Sequence, residues 1–142
     1  AMNFWDSSAL LPLLVTEVAS GATRQYVATQ PEMTIWWATP VECMSALARK
    51  EREGRLKLAQ MIAAEKNLDL IVRNSVTIDA SDGVRLRARK LLRRYPLRAA
   101  DSLQLSAACL LAGEATSDYG FICNDERLTV AASKEGFSVV SF

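Results

Sequence analysis

Short apolar runs separated by longer stretches of helical period organise this chain. Asn3-Phe4-Trp5 predicts a first strand that ends at Asp6, after which Ser7 and Ser8 cap a helix carrying Ala9, Leu10, Leu13 and Leu14. Gly21 is expected to break the chain ahead of a second helical stretch over Ala22 to Ala28, and Met33 to Trp37 reads as the second strand. Thr39-Pro40-Val41-Glu42 has the form of a capping box with proline at the first helical position, opening a helix through Leu47 and Arg49. From Gly54 to Asp79 the period stays helical, with Leu56, Ala59, Ile62 and Ala63 on one face and a break expected near Asn67 to Asp69. Helices over Ala80 to Arg94 and Arg98 to Ala112 follow, the second stopped by Gly113. Tyr119 to Cys123 is the third strand, Asp125 to Ser133 a short helix closed by Gly136, and Phe137 to Val140 the last strand.

Continuously apolar strands separated by helices imply an α/β fold, with a mostly parallel sheet of four to five strands covered on both faces. Composition agrees: at 142 residues, 50% apolar and 23% charged, residues 1–142 are expected to form one globular domain with a sizeable core. Three widely spaced cysteines, Cys43, Cys109 and Cys123, sit in apolar contexts and read as reduced core residues of a cytoplasmic protein. No run is long and apolar enough for a transmembrane helix, and no signal peptide is expected. The chain has no histidine, which removes imidazole bases, His-dependent triads and His-ligated zinc together. Catalysis, if present, rests on carboxylates, lysine, thiol or metal.

In a parallel α/β sheet, ligands bind outside the carboxyl ends of the strands, so acids placed just after strands are the first candidates. Asp6 ends the first strand, Glu42 opens the helix after the second, and Asp125 follows the third. Asp101 differs in kind. It shares an apolar helical face with Leu97, Leu105 and Ala108, where a carboxylate needs a paired charge, a raised pKa or a cation. Each of Asp6, Glu42 and Asp125 also has a plain reading as a helix cap, and Asp101 one as a partner of Arg94 or Arg98. Four carboxylates converging on one sheet edge would repel, and a hard divalent cation is the simplest neutraliser.

The bases are segregated too. Arg85, Arg87, Arg89, Lys90, Arg93, Arg94 and Arg98 place seven of the 17 basic residues within fourteen positions, with no acid among them. A solvated helix face is one reading; phosphate contact, or docking of an acidic protein segment, is the other. Trp36 and Trp37 alternate onto opposite sheet faces, with both rings expected in the core and an exposed ring at a partner surface as the alternative.

These pieces together resemble a PIN domain, and within that family the bacterial VapC-type toxins of toxin–antitoxin pairs. The resemblance rests on Asp6-Ser7-Ser8-Ala9-Leu10, on Glu42, on Leu97-Arg98-Ala99-Ala100-Asp101-Ser102-Leu103-Gln104-Leu105 with Ala107-Ala108, and on Cys123-Asn124-Asp125-Glu126-Arg127-Leu128 before Gly136-Phe137. It implies a three-layer PIN-like fold and an endoribonuclease dependent on Mg²⁺ or Mn²⁺, with Asp6, Glu42, Asp101 and Asp125 as both catalytic and metal-binding residues. It further implies an RNA substrate, a cognate antitoxin and a homodimer. The family usually carries threonine two positions before the last aspartate, where this chain has Cys123. Two other classes remain open: a PIN-like RNA-binding module impaired in catalysis, and a phospho-receiver-like domain. The latter calls for adjacent acids after the first strand, where this chain has serines, and for a lysine after a late strand.

Overall fold

The computed structural model describes residues 2–142. Its centre is a sheet of five strands, β1 (Asn3–Trp5), β2 (Thr34–Trp36), β3 (Val76–Ile78), β4 (Gly120–Ile122) and β5 (Ser138–Val140), in the order β3-β2-β1-β4-β5. Every neighbouring pair is parallel, with Phe4 opposite both Thr34 and Phe121. Seven helices connect them: α1 (Ser7–Leu14), α2 (Ser20–Thr29), α3 (Thr39–Arg52), α4 (Leu58–Asn74), α5 (Asp82–Arg94), α6 (Ala99–Ala112) and α7 (Glu126–Lys134).

Two cores form because successive strand residues point to opposite faces. Phe4, Trp36 and Phe121 pack with Val84, Leu91, Leu105 and Leu128 of α5, α6 and α7. Their neighbours Trp5, Ile35 and Ile122 pack with Leu10, Leu47, Met61 and Leu68 of α1, α3 and α4. The central strands are therefore apolar on both faces, which is why they lack alternation in the sequence. Cys43, Cys109 and Cys123 are free and buried. No helix among the described residues is long and apolar enough to cross a membrane.

Several expected boundaries move. Asp6, rather than Ser7 or Ser8, caps α1, because its extended backbone lets its side chain accept the Ser8 N–H. Gly21 lies inside α2, one residue from its start, where one flexible residue costs a helix little. Trp37 falls beyond the end of β2 and is 59% exposed, while Trp36 is buried. The region 54–79 divides differently: α4 runs unbroken through Asn67 to Asp69, and Val76–Ile78 forms an edge strand where a helix was expected. Three residues are too few to display a period, so only pairing with β2 reveals them. Gly136 does end α7, with φ at 101° and Thr116 Oγ1 standing where a Cβ would need room.

One irregularity bears on the site. Pro12 lies within α1 and has no N–H to give the Ser8 carbonyl one turn earlier. That carbonyl accepts the Asn124 side-chain amide instead, at 3.4 Å. Asn124 Oδ1 in turn accepts the Phe142 N–H at 2.9 Å, so one residue ties α1, the end of β4 and Phe142 together.

Candidate active site

All five strands are parallel, so their carboxyl ends share one edge, and the four expected acids gather there. Asp6 follows β1 directly, Glu42 lies in the first turn of α3 beyond β2, Asp125 stands beyond β4 as the cap of α7, and Asp101 sits in the first turn of α6. Glu42, Asp101 and Asp125 line a cleft of about 630 Å³ together with Ser7, Ser8 and Ser45. Asp6 is only 3% exposed and lies beneath them.

The plain reading of Asp6 and Asp125 as caps is also correct, and the two roles coexist. Asp6 Oδ2 accepts the Ser8 backbone N–H at 3.1 Å, and Asp125 Oδ1 accepts the Leu128 N–H at 3.0 Å. Each cap occupies one carboxylate oxygen and orients the group, leaving the second oxygen for other use. Glu42 departs from its expected role. No side chain caps α3 at Ala38, and the capping box is not formed. The Glu42 carboxylate instead accepts Gln104 Nε2 at 2.9 Å and, more weakly, Ser7 Oγ at 3.5 Å.

Cys123 occupies the middle of this cluster. Its thiol contacts Asp6 Oδ2 at 3.5 Å, and its sulfur accepts the Asp125 N–H at 3.3 Å. The sulfur thus joins two acids that lie more than a hundred residues apart in sequence. Ser8 supports the same group: its hydroxyl donates to Asp6 Oδ2 and accepts the Asn124 N–H at 2.9 Å.

Electrostatics reflect the convergence. Burial raises the Asp6 carboxyl above its ordinary range, with the Asp125 charge adding to it. Glu42 is pushed up to about 7, mainly by burial and then by the charges of Asp6 and Asp101. Asp101 is raised by burial and by the charges of Asp125 and Asp6. The thiol of Cys123 is pushed up as well, first by burial and then by Asp6, which keeps it neutral. None of the four acids is ion-paired among the described residues. An all-oxygen, multiply charged donor set of this kind suits a hard divalent cation. No three acidic or cysteine side chains among the described residues are spaced to hold a metal ion as they stand, so the match lies in donor chemistry and charge.

Bases rim the acids. Arg49, Arg98 and Arg127 line the same cleft, from α3, from the residue before α6 and from α7, and none is ion-paired among the described residues. Only Arg98 belongs to the basic run of the sequence. The turn at Tyr95 to Leu97 separates it from the others, so the seven bases do not share one helix. Arg94 is bonded to Glu135 at 2.9 Å, and Arg85 is paired with Asp82. Arg49 gave no sequence signal as a site residue, and Arg127 stood only as one letter of the Cys123 to Leu128 segment.

An acidic cleft at the carboxyl edge of an all-parallel, three-layer α/β sheet defines the class, and comparison with known proteins identifies the family. The PIN domain model matches residues 4–134, and the chain belongs to that family. It is 29% identical to a Mycobacterium tuberculosis protein named ribonuclease VapC46, over 99% of this chain and 98% of that one. Among solved structures, M. tuberculosis VapC20, described as a sarcin-ricin loop cleaving toxin, superposes with a TM-score of 0.70 at 12% identity, covering 91% of this chain and 94% of the other. A toxin–antitoxin complex from Klebsiella pneumoniae matches with a TM-score of 0.65 at 16% identity, covering 97% and 95%.

Proposed function

We propose that this protein is a metal-dependent endoribonuclease of the VapC type, the toxin of a toxin–antitoxin pair. The observation that carries the reading is the set of four carboxylates from four separate chain segments, without ion pairs among the described residues, three of them lining an arginine-rimmed cleft and Asp6 buried and electrostatically coupled to them. Asp6, Glu42, Asp101 and Asp125 would hold Mg²⁺ or Mn²⁺. Such an ion, when bound, lowers the pKa of water and stabilises charge on a phosphodiester. The chain's own residues do the rest. Ser8 and Cys123 fix the Asp6 carboxylate, the cap of α7 fixes Asp125, and Arg49, Arg98 and Arg127 attract and orient phosphates. No protein nucleophile is needed, in keeping with a chain that has no histidine.

RNA as substrate and an antitoxin as partner are supported by the name of the curated relative and by the toxin–antitoxin complex among the structural neighbours. A homodimer belongs to the same reading. The exposed bases Arg89, Lys90 and Arg93 of α5 offer a surface to an acidic antitoxin segment or to RNA. Incubation of purified protein with defined RNAs and Mn²⁺, beside Asp101→Asn, tests the site. Wild type is expected to cut and to stop on addition of EDTA, with the variant at least about 100-fold slower. Equal cutting by both proteins, or cutting that survives EDTA, rules this site out.

A further inference from the structure

Gln104 is fully buried, yet it belongs to neither core by chemistry. It lies on α6 one turn beyond Asp101, with its side-chain amide against the first turn of α3. There Nε2 donates to Glu42 Oε2 at 2.9 Å and to Thr39 Oγ1 at 3.0 Å. The two hydrogens of one amide nitrogen thus take up the side chains of both Thr39 and Glu42 and tie them to a different helix.

The other end of the amide is the informative one. Gln104 Oε1 is buried and has no hydrogen-bond partner among the described residues. A glutamine kept only for packing or stability is a poor choice at such a place, since a buried carbonyl without a donor is costly. Rotating the amide would set Oε1 against the Glu42 carboxylate, acceptor against acceptor. The observed orientation therefore serves Glu42 at the expense of the glutamine's own oxygen.

We propose that Gln104, braced by Thr39, is a positioning residue that fixes the Glu42 carboxylate relative to Asp101 and so sets the distance between the acids of α3 and α6. This rests on the reading of Glu42 as a metal-holding acid. Residues that orient ligand carboxylates are commonly worth about 10- to 100-fold in metal affinity or activity.

Mn²⁺ binding measured by calorimetry, beside thermal melting without metal, separates the alternatives. Gln104→Met keeps the side chain's length and removes the amide. It is expected to melt near wild type and to bind Mn²⁺ about 10- to 100-fold more weakly. Thr39→Val, which removes only the brace, should shift affinity the same way by less. In a Glu42→Gln background, Gln104→Met should add nothing further, because the two act as one unit. A lowered melting point with unchanged Mn²⁺ affinity marks a purely structural glutamine and overturns the assignment, as do effects of the two substitutions that simply multiply. Wild type that binds no Mn²⁺ removes the metal reading of the whole site, and this role with it.

Discussion

Burial and neighbouring charge raise Glu42 from the ordinary 4.5 to about 7, and this has a consequence for stability. Below 4.5 the group is protonated in folded and unfolded chains alike and contributes no difference. As pH rises the unfolded chain ionises first, and above about 7 both are ionised while the folded chain carries the strained charge. The metal-free protein is therefore expected to lose stability as pH rises from 4.5 to about 7, by roughly 1–2 kcal/mol from this group after allowance for solvent screening. Asp6 and Asp101 are shifted in the same direction and add to the slope. Melting curves in EDTA check this, where Glu42→Gln should flatten part of the pH dependence; in buffer without EDTA, Mn²⁺ should restore wild-type stability at the upper end. At this scale the sequence was informative where chemistry is local. Asp6 and Asp125 stand out because a strand, an acid and a helix follow one another within a few residues. Gln104 was visible only as a letter in a motif, since its partner Glu42 lies 62 positions away.

Among the elements, those with a clear start and stop were legible, whereas α4, the longest helix, was expected to break midway and β3 was missed. The amphipathic helix α5 and the largely buried α6 appear close to their expected bounds, because Val84, Ala88 and Leu91 repeat on one buried face of α5 and Gly113 stops α6. Edge strand β3 was hidden because it is half-exposed and follows α4 after Ser75 alone, with no Gly or Pro to mark the change. The basic run, continuous in sequence, divides in space. Arg98 lines the cleft with Arg49 and Arg127, whereas Arg89 and Arg93 lie on exposed α5. Two paired variants separate these surfaces. Arg98→Ala with Arg127→Ala should weaken RNA binding while leaving Mn²⁺ affinity unchanged, and reduce the salt dependence of binding by a slope of about 0.7 for each phosphate no longer neutralised. Arg89→Glu with Arg93→Glu should weaken antitoxin or RNA binding without altering Mn²⁺ affinity. Filter binding across a salt series is the measurement, and unchanged RNA and antitoxin affinity in the α5 pair would make that helix a solvated face.

For the molecule as a whole, the balance of 17 bases against 16 acids conceals a division of labour. Acids meet at the carboxyl edge of the sheet and arginines surround them, an arrangement that net charge cannot express. The architecture was readable because βαβ connections leave a parallel sheet with few topologies to choose from. The particular company kept at the edge was not, since it depends on how β1, β2 and β4 lie side by side. Those strands rely on residues 138–142. Cys123 N bonds to the Val140 carbonyl at 3.0 Å, and Asn124 holds the Phe142 N–H. A chain truncated after Phe137 lacks both ties and β5. It is expected to lose Mn²⁺-dependent cleavage, measured on the same RNAs beside circular dichroism; undiminished cleavage would mean that Asp125 is held without them.

The dependence of β4 and Asn124 on residues 138–142 has a temporal meaning as well. The strand of the sheet laid down first, β1, becomes its middle, and the bonds that tie down Cys123 and Asn124 come from residues made after every helix. On the proposed function, a nascent chain still attached to its ribosome carries an incomplete site until those residues emerge. The bonds at this end of the sheet are therefore among the last that the chain can make in the order of its synthesis.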